Sequence, residues 1–151
     1  MRTYLVVIDE TEEARSALHY AAIRALKLGR TVEILALIPP PEFVNWAGVE
    51  AAFEEEARLR AEALVAQAAG VLIEEIGVKP KITVRHGDPA KIVREILAEN
   101  PDIAGLMLGA AKSGPPGPLV THFTGNDAGS MPCPIIIVPG GLSDEELEQL
   151  G

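Results

Sequence analysis

Tyr4-Leu5-Val6-Val7-Ile8-Asp9 is a continuous apolar run, rich in β-branched side chains, that stops at a turn-capable aspartate. A short run that is apolar on both faces reads as a strand buried on both sides, the kind found in parallel sheets. Downstream, Ala14, Leu18, Ala21, Ala25 and Leu28 recur at alternating steps of four and three, which lays one apolar stripe along a helix. Thr11 is placed to cap that helix, and Glu12 and Glu13 stand in the first turn, where the dipole favours anions. Gly29 supplies a left-handed stop.

The rest of the chain repeats this strand-and-helix unit. Residues 32–38 read as a second strand, halted by Pro39, Pro40 and Pro41, which cannot donate to a ladder. A loop carrying Phe43 and Trp46 leads to a helix from about Val49. There Ala57, Ala61, Leu64, Ala68 and Val71 repeat the four-three spacing until Gly77 and Pro80 end it. Residues 81–85 form a shorter, more polar third strand. Gly87-Asp88-Pro89 then opens a helix with Asp88 as N-cap and Pro89 at the first helical position. Ile92, Val93, Ile96 and Leu97 are its buried face, and Asn100-Pro101 ends it. Residues 103–108 are the fourth strand. A loop rich in Gly and Pro follows, then a short helix between Leu119 and Ser130, then residues 135–138 as the fifth strand. From Gly140 the chain carries an acidic amphipathic turn, Ser143 to Leu150, whose docking the sequence leaves open. Each crossover is long enough for a helix. The pattern therefore predicts one α/β domain over residues 1–140, an open parallel sheet with helices on both faces, and an acidic C-terminal tail, residues 141–151.

The 151 residues suit a single domain with a continuous core, and with only 4% aromatics that core must be built from Val, Ile, Leu and Ala. Thirteen basic against 22 acidic residues give a net charge of -9, which opposes attraction to phosphate backbones and anionic membranes. No nucleic acid and no membrane partner is expected. The single Cys133 cannot form an internal disulfide, the N-terminus lacks the h-region of a signal peptide, and no stretch approaches the ~20 apolar residues of a membrane span. A reducing, cytoplasmic location is the expectation.

Catalytic classes find little support. There is no G-x-S-x-G elbow, and Cys133 lies between prolines at the start of a strand, where an inert, partly buried thiol is expected. His19, His86 and His122 fall on separate elements without ligand spacing to each other or to Cys133, so no metal is expected. His19, next to the stripe residue Leu18, should face solvent. Lys112-Ser113 lacks the spacing of a P-loop and follows the fourth strand instead of the first. His86-Gly87 stands where a receiver domain would need an aspartate to end its third strand. Phe43 and Trp46 are expected to pack over a sheet edge.

Several motifs, in order and spacing, resemble the universal stress protein family over nearly the whole chain. They are the first strand with its terminal Asp9, Leu35-Ala36-Leu37-Ile38, Arg85-His86-Gly87-Asp88-Pro89-Ala90, Leu106-Met107-Leu108-Gly109, and Pro132-Cys133-Pro134-Ile135-Ile136-Ile137-Val138-Pro139. The resemblance implies an adenine nucleotide alpha hydrolase-like fold: a five-stranded parallel sheet in the order 3-2-1-4-5, with ATP bound at the carboxyl ends of the strands in many members. Ligands of open parallel sheets bind where the strand order reverses, which would set Asp9 and the Gly109 loop face to face. The implied pocket comprises Asp9, Leu37, Leu108, Gly109, Lys112, Ser113 and His122. Asp9 has two compatible roles there: to bind an adenine amine or ribose hydroxyl, and to help Thr11 cap the first helix.

ATP-binding members carry Gly, two residues, Gly, nine residues, then Gly and Ser or Thr after strand four, because glycines let backbone N–H groups approach phosphate. This chain keeps Gly109 and has Lys112 at the second position. The third falls at His122 counted from Gly109, or at Thr121 counted back from Pro134. Pro115, Pro116 and Pro118 have no N–H to offer. The departures favour a non-catalytic binding or regulatory module with weak or lost nucleotide binding. It would be a homodimer through its last strand, residues 135–138, with an unidentified protein partner. The alternative is a nucleotide-gated switch or very slow ATPase, in which Lys112 replaces the missing glycines and Asp9 positions the base.

Overall fold

The computed structural model describes residues 2–38 and 47–151, the side chains of residues 47–51 excepted, so Phe43 and Trp46 lie outside the described residues. Strands β1 (Thr3–Ile8), β2 (Thr31–Ile38), β3 (Lys81–His86), β4 (Ile103–Ala110) and β5 (Ile135–Pro139) extend the expected runs by a residue or two. They form one all-parallel sheet in the order β3-β2-β1-β4-β5, as the sequence implies. Val6 stands between Ile34 and Met107 in register, so the order reverses at the β1–β4 seam.

Helices α1 (Glu12–Leu28) and α2 (Ala47–Val71) cover one face, and α3 (Pro89–Glu99) and α4 (Pro118–Phe123) the other. On the first face Ala17, Ala21, Ala22 and Ala25 pack with Tyr4, Val6, Ile34 and Met107, and the row of alanines lets α1 lie close to the strands. On the second, Val93, Leu97, Val120 and Phe123 pack with Leu5, Leu35, Leu106 and Leu108. Two same-side helices on each half are what right-handed crossovers give. The expected caps are present: Thr11 accepts from the Ala14 N–H, Asp88 from the Lys91 N–H, and Gly29 takes the left-handed conformation at φ 66°. No described helix is long and apolar enough to cross a membrane.

Glu33 is a buried carboxylate, 3% exposed, on the α3 face of β2. It accepts a hydrogen bond from Thr83 Oγ1 at 2.8 Å, and the exposed Lys81 ammonium stands 3.8 Å away. The hydroxyl donor is what makes the burial tolerable, since the lysine is screened by water.

Three expectations need correction. Leu28, the last residue before the Gly29 cap, and Val71 leave the apolar stripes and are exposed. From α2 into the π-helical turn that follows it (Leu72–Ile76), the buried line runs through Ala61, Val65, Ala69 and Leu72, with Ala57, Leu64 and Ala68 half-buried beside it. The helix offers two adjacent apolar stripes, and the larger side chains Val65 and Leu72 decide which faces the sheet. Third, His19 does not face solvent. It lies beneath the last helix, α5 (Asp144–Leu150), with Nε2 3.4 Å from Glu148 Oε1. The tail thus docks on α1. Ser143 and Glu146 cap α5 reciprocally, Leu147 is fully buried, and Lys27 Nζ donates to the Gly151 carbonyl at 2.8 Å. A helix this short does not hold in water alone. Burying one leucine contributes about 2–3 kcal/mol and keeps it in place.

Candidate functional site

The site is built where β1 and β4 part. Asp9 follows β1 directly, and its Oδ1 accepts from the Thr11 N–H at 2.8 Å and also from the Thr11 hydroxyl. Thr11 Oγ1 in turn accepts from the Ala14 N–H at 3.2 Å. Of the two roles open to Asp9, the capping one is therefore occupied by one carboxylate oxygen. Oδ2 has no hydrogen-bond partner among the described residues and remains available to a ligand.

Across the seam, Gly109 meets the first turn of α1 backbone to backbone. A methyl group added there would lie 2.1 Å from the Glu13 carbonyl oxygen and 2.4 Å from its carbon. Helix packing alone thus requires glycine at this position, whatever else the residue does.

Between these walls is a cleft of ≈ 150 Å³, lined by Val7, Asp9, Thr11, Glu13, Ala14, Leu108, Gly109 and residues 116–120. Asp9, Leu108 and Gly109 are brought together as expected. Leu37 lines a neighbouring depression of ≈ 380 Å³ that reaches Asp9 from the α2 side. Lys112 and Ser113 do not line the cleft. The loop after β4 is closed by the Ala111 N–H donating to the Pro116 carbonyl at 3.1 Å, which leaves both residues exposed on its outside. Instead of Lys112, the cleft wall receives Pro116, Gly117 and Pro118.

His122 is not in the cleft either. Its Nε2 is 3.1 Å from Arg94 Nη2 and 3.9 Å from Asp127 Oδ2, and Arg94 also pairs with Asp127. Its ring stands edge-on to Phe123 at 4.9 Å, between α3 and α4. The spacing rule that put His122 near phosphate assumed a loop of ordinary shape, whereas Gly117-Pro118 starts α4 early and carries His122 round its far side.

Sequence reasoning missed Thr11 and Glu13 as wall residues. The signal was present, because a helix that begins after only three intervening residues from a switch-point strand must hold its first turn beside the neighbouring strand. Among the described residues the wall holds two carboxylates, Asp9 and Glu13, and no Lys, Arg or His. Among the described residues no group of three His, Cys, Asp or Glu side chains is placed to hold a metal ion. Burial pushes the Cys133 thiol up from its ordinary range, against smaller opposing effects of the Leu106 backbone and Arg2. At neutral pH it is a protonated, weak nucleophile.

The model of the universal stress protein family matches residues 1–139. Among solved structures, the chain is similar to the universal stress protein UspA from Lactobacillus plantarum, 15% identical over 91% of this chain and 97% of that one, with a TM-score of 0.73. It is also similar to the universal stress protein from Archaeoglobus fulgidus in complex with dAMP, 16% identical over 91% and 98% of the two chains, TM-score 0.64. A third is an Arabidopsis thaliana family protein with AMP bound, 12% identical over 92% and 91%, TM-score 0.55. At these identities the likeness is one of fold. No curated protein matches the chain in sequence. Because the family model runs through all five strands and both walls of the cleft, the chain belongs to the universal stress protein family.

Proposed function

We propose that the protein is a non-catalytic binding or regulatory module, a cytoplasmic homodimer whose nucleotide binding is weak or lost and which acts by offering surfaces to a protein partner. The observation that carries this reading is the charge of the cleft. Its wall has two carboxylates and no cation, and Pro116 and Pro118 bring no N–H to it. A phosphate entering there meets two carboxylates, with two of the five residues 116–120 unable to donate, on a chain of net charge -9.

Calorimetric melting tests it. With millimolar Mg-ATP, ADP or AMP the midpoint is expected to move by less than about 1 °C. A ligand at about 100 times its dissociation constant stabilises by roughly 2.7 kcal/mol, which at about 2–4 °C per kcal/mol is a shift of several degrees. A shift of that size replaces the module with the second reading, a nucleotide-gated switch. That reading draws its support from the dAMP and AMP held by the similar folds.

Dimerisation through β5 is supported by its position at the sheet edge. Among the described residues β5 pairs only with β4, and it carries Ile135, Ile136 and Ile137, the last 39% exposed. The opposite edge, β3, is guarded by Lys81 and Arg85. Two copies of β5 would meet as the same patch on each subunit. Ile137→Lys is the cleaner probe, because Ile136 packs into the α1-side core beside Gly105. Sedimentation is expected to show a dimeric wild type and a monomeric Ile137→Lys. A monomeric wild type, or a variant that stays dimeric, rejects this interface.

A further inference from the structure

Lys112 is the only Lys or Arg after Arg94, so it is the one cation that the loop following β4 can bring to the cleft. Its stem lies instead against the chain leaving β5: a methyl group added at Gly141 would stand 3.2 Å from Lys112 Cγ and 3.7 Å from Cδ. That crossing is held in place. The Gly140 N–H donates to the Ala110 carbonyl at 2.8 Å, and a methyl group at Gly140 would lie 2.9 Å from Glu13 Cβ. The crossing therefore touches both Glu13, on the cleft wall, and Lys112.

The segment continues into α5, which α1 holds at few points. One side chain, Leu147, is fully buried, Lys27 Nζ donates to the Gly151 carbonyl at 2.8 Å in the last residue of the chain, and the pairs Arg15–Asp144 and His19–Glu148 are both long at 3.4 Å. His19 Nε2 is buried without a hydrogen-bond partner. A terminal helix with so few buried contacts belongs to the low-stability end of a fold, where local opening occurs. The segment adds four carboxylates and no cation, and it begins where the family match ends.

We propose that residues 140–151 are an autoinhibitory strap: docked, they hold Lys112 on Gly141 and away from the cleft; released, they free it to meet the phosphate of a nucleoside phosphate seated between Asp9 and Gly109. This rests on the reading that the docked protein binds nucleotide weakly, and it assigns that weakness to a reversible contact. Asp9 Oδ2 and Lys112 would then act on opposite ends of the ligand.

Isothermal titration of the full-length chain with Mg-ATP and with AMP tests it. Leu147→Asp undocks α5 while adding a negative charge, so any gain in anion binding is not a charge artefact. Gly141→Val leaves α5 docked and crowds the flexible Lys112 stem off its seat, and it decides the matter if Leu147→Asp fails to fold by circular dichroism. Each folded variant is expected to bind at least one of the two nucleotides ten-fold or more tightly than wild type, and Lys112→Ala in the same background is expected to remove the gain. Folded variants with no gain, or a gain that survives Lys112→Ala, overturn the strap. Tight binding by the wild type overturns the weak-binding reading and the strap with it, whereas weak binding by the wild type without a gain in the variants overturns the strap alone.

Discussion

Gly109→Ala is expected to lower stability by about 3 kcal/mol or more, above the usual cost of adding a methylene to a packed core. The added methyl meets the Glu13 carbonyl at 2.1 Å, and that neighbour is the backbone of a capped helix, which cannot rotate aside as a side chain would. At roughly 2–4 °C per kcal/mol the melting midpoint of ligand-free protein should fall by about 6–12 °C. The same substitution at Gly70, where α2 runs on into the π-helical turn Leu72–Ile76 with open space around it, is expected to raise stability by up to about 1 kcal/mol. The comparison separates two explanations of one residue. If Gly109 served only to admit phosphate, its replacement by alanine would leave the ligand-free midpoint untouched.

Phe123→Ala carries the second large effect, a loss of about 3–5 kcal/mol in denaturant unfolding. Phe123 is fully buried at the end of α4, with the Arg94 guanidinium 5.8 Å above its ring. In a chain with 4% aromatics it is the largest fully buried side chain among the described residues, and it anchors a six-residue helix to the sheet. Its loss should free α4 and with it residues 116–120 of the cleft wall, so amide exchange at Thr121 and Thr124, whose N–H groups bond the Gly117 and Val120 carbonyls, should rise beyond the global change. Phe123→Leu, which keeps most of the volume, should cost less than half as much. A Phe123→Ala midpoint within the error of wild type would mean that α4 is held by other contacts.

Both effects arise at places the sequence marked for other reasons. Gly109 entered as a relic of a phosphate signature, and the structure gives it a packing duty at the α1–β4 contact. Phe123 entered only as part of a short helix. His122, its neighbour, drew attention as a pocket residue and instead pairs with Arg94 and Asp127 outside the cleft. Lys112 and Ser113, placed in the pocket by counting along the chain, stand on the outer side of a loop closed between Ala111 and Pro116. Counting assumes that a loop follows its relatives' path, and three prolines within it make a different path.

Local rules governed everything that residues near in sequence decide among themselves. The apolar runs at residues 4–8, 32–38, 103–108 and 135–138 determined the buried strands, because a run apolar on both faces has no stable place except between two layers of helices. Thr11, Gly29, Asp88 and Pro89 determined where helices start and stop, because capping is satisfied within a turn. Contacts between distant segments were decided only by the tertiary structure. Among them are the docking of Leu147 over His19, the hydroxyl of Thr83 against buried Glu33, the seating of Lys112 on Gly141, and the approach of Glu13 to Gly109 that sets the cleft's charge and width. Each depends on how closely two elements approach, a distance set by the side chains of both at once, and a pattern read along one segment carries no measure of it.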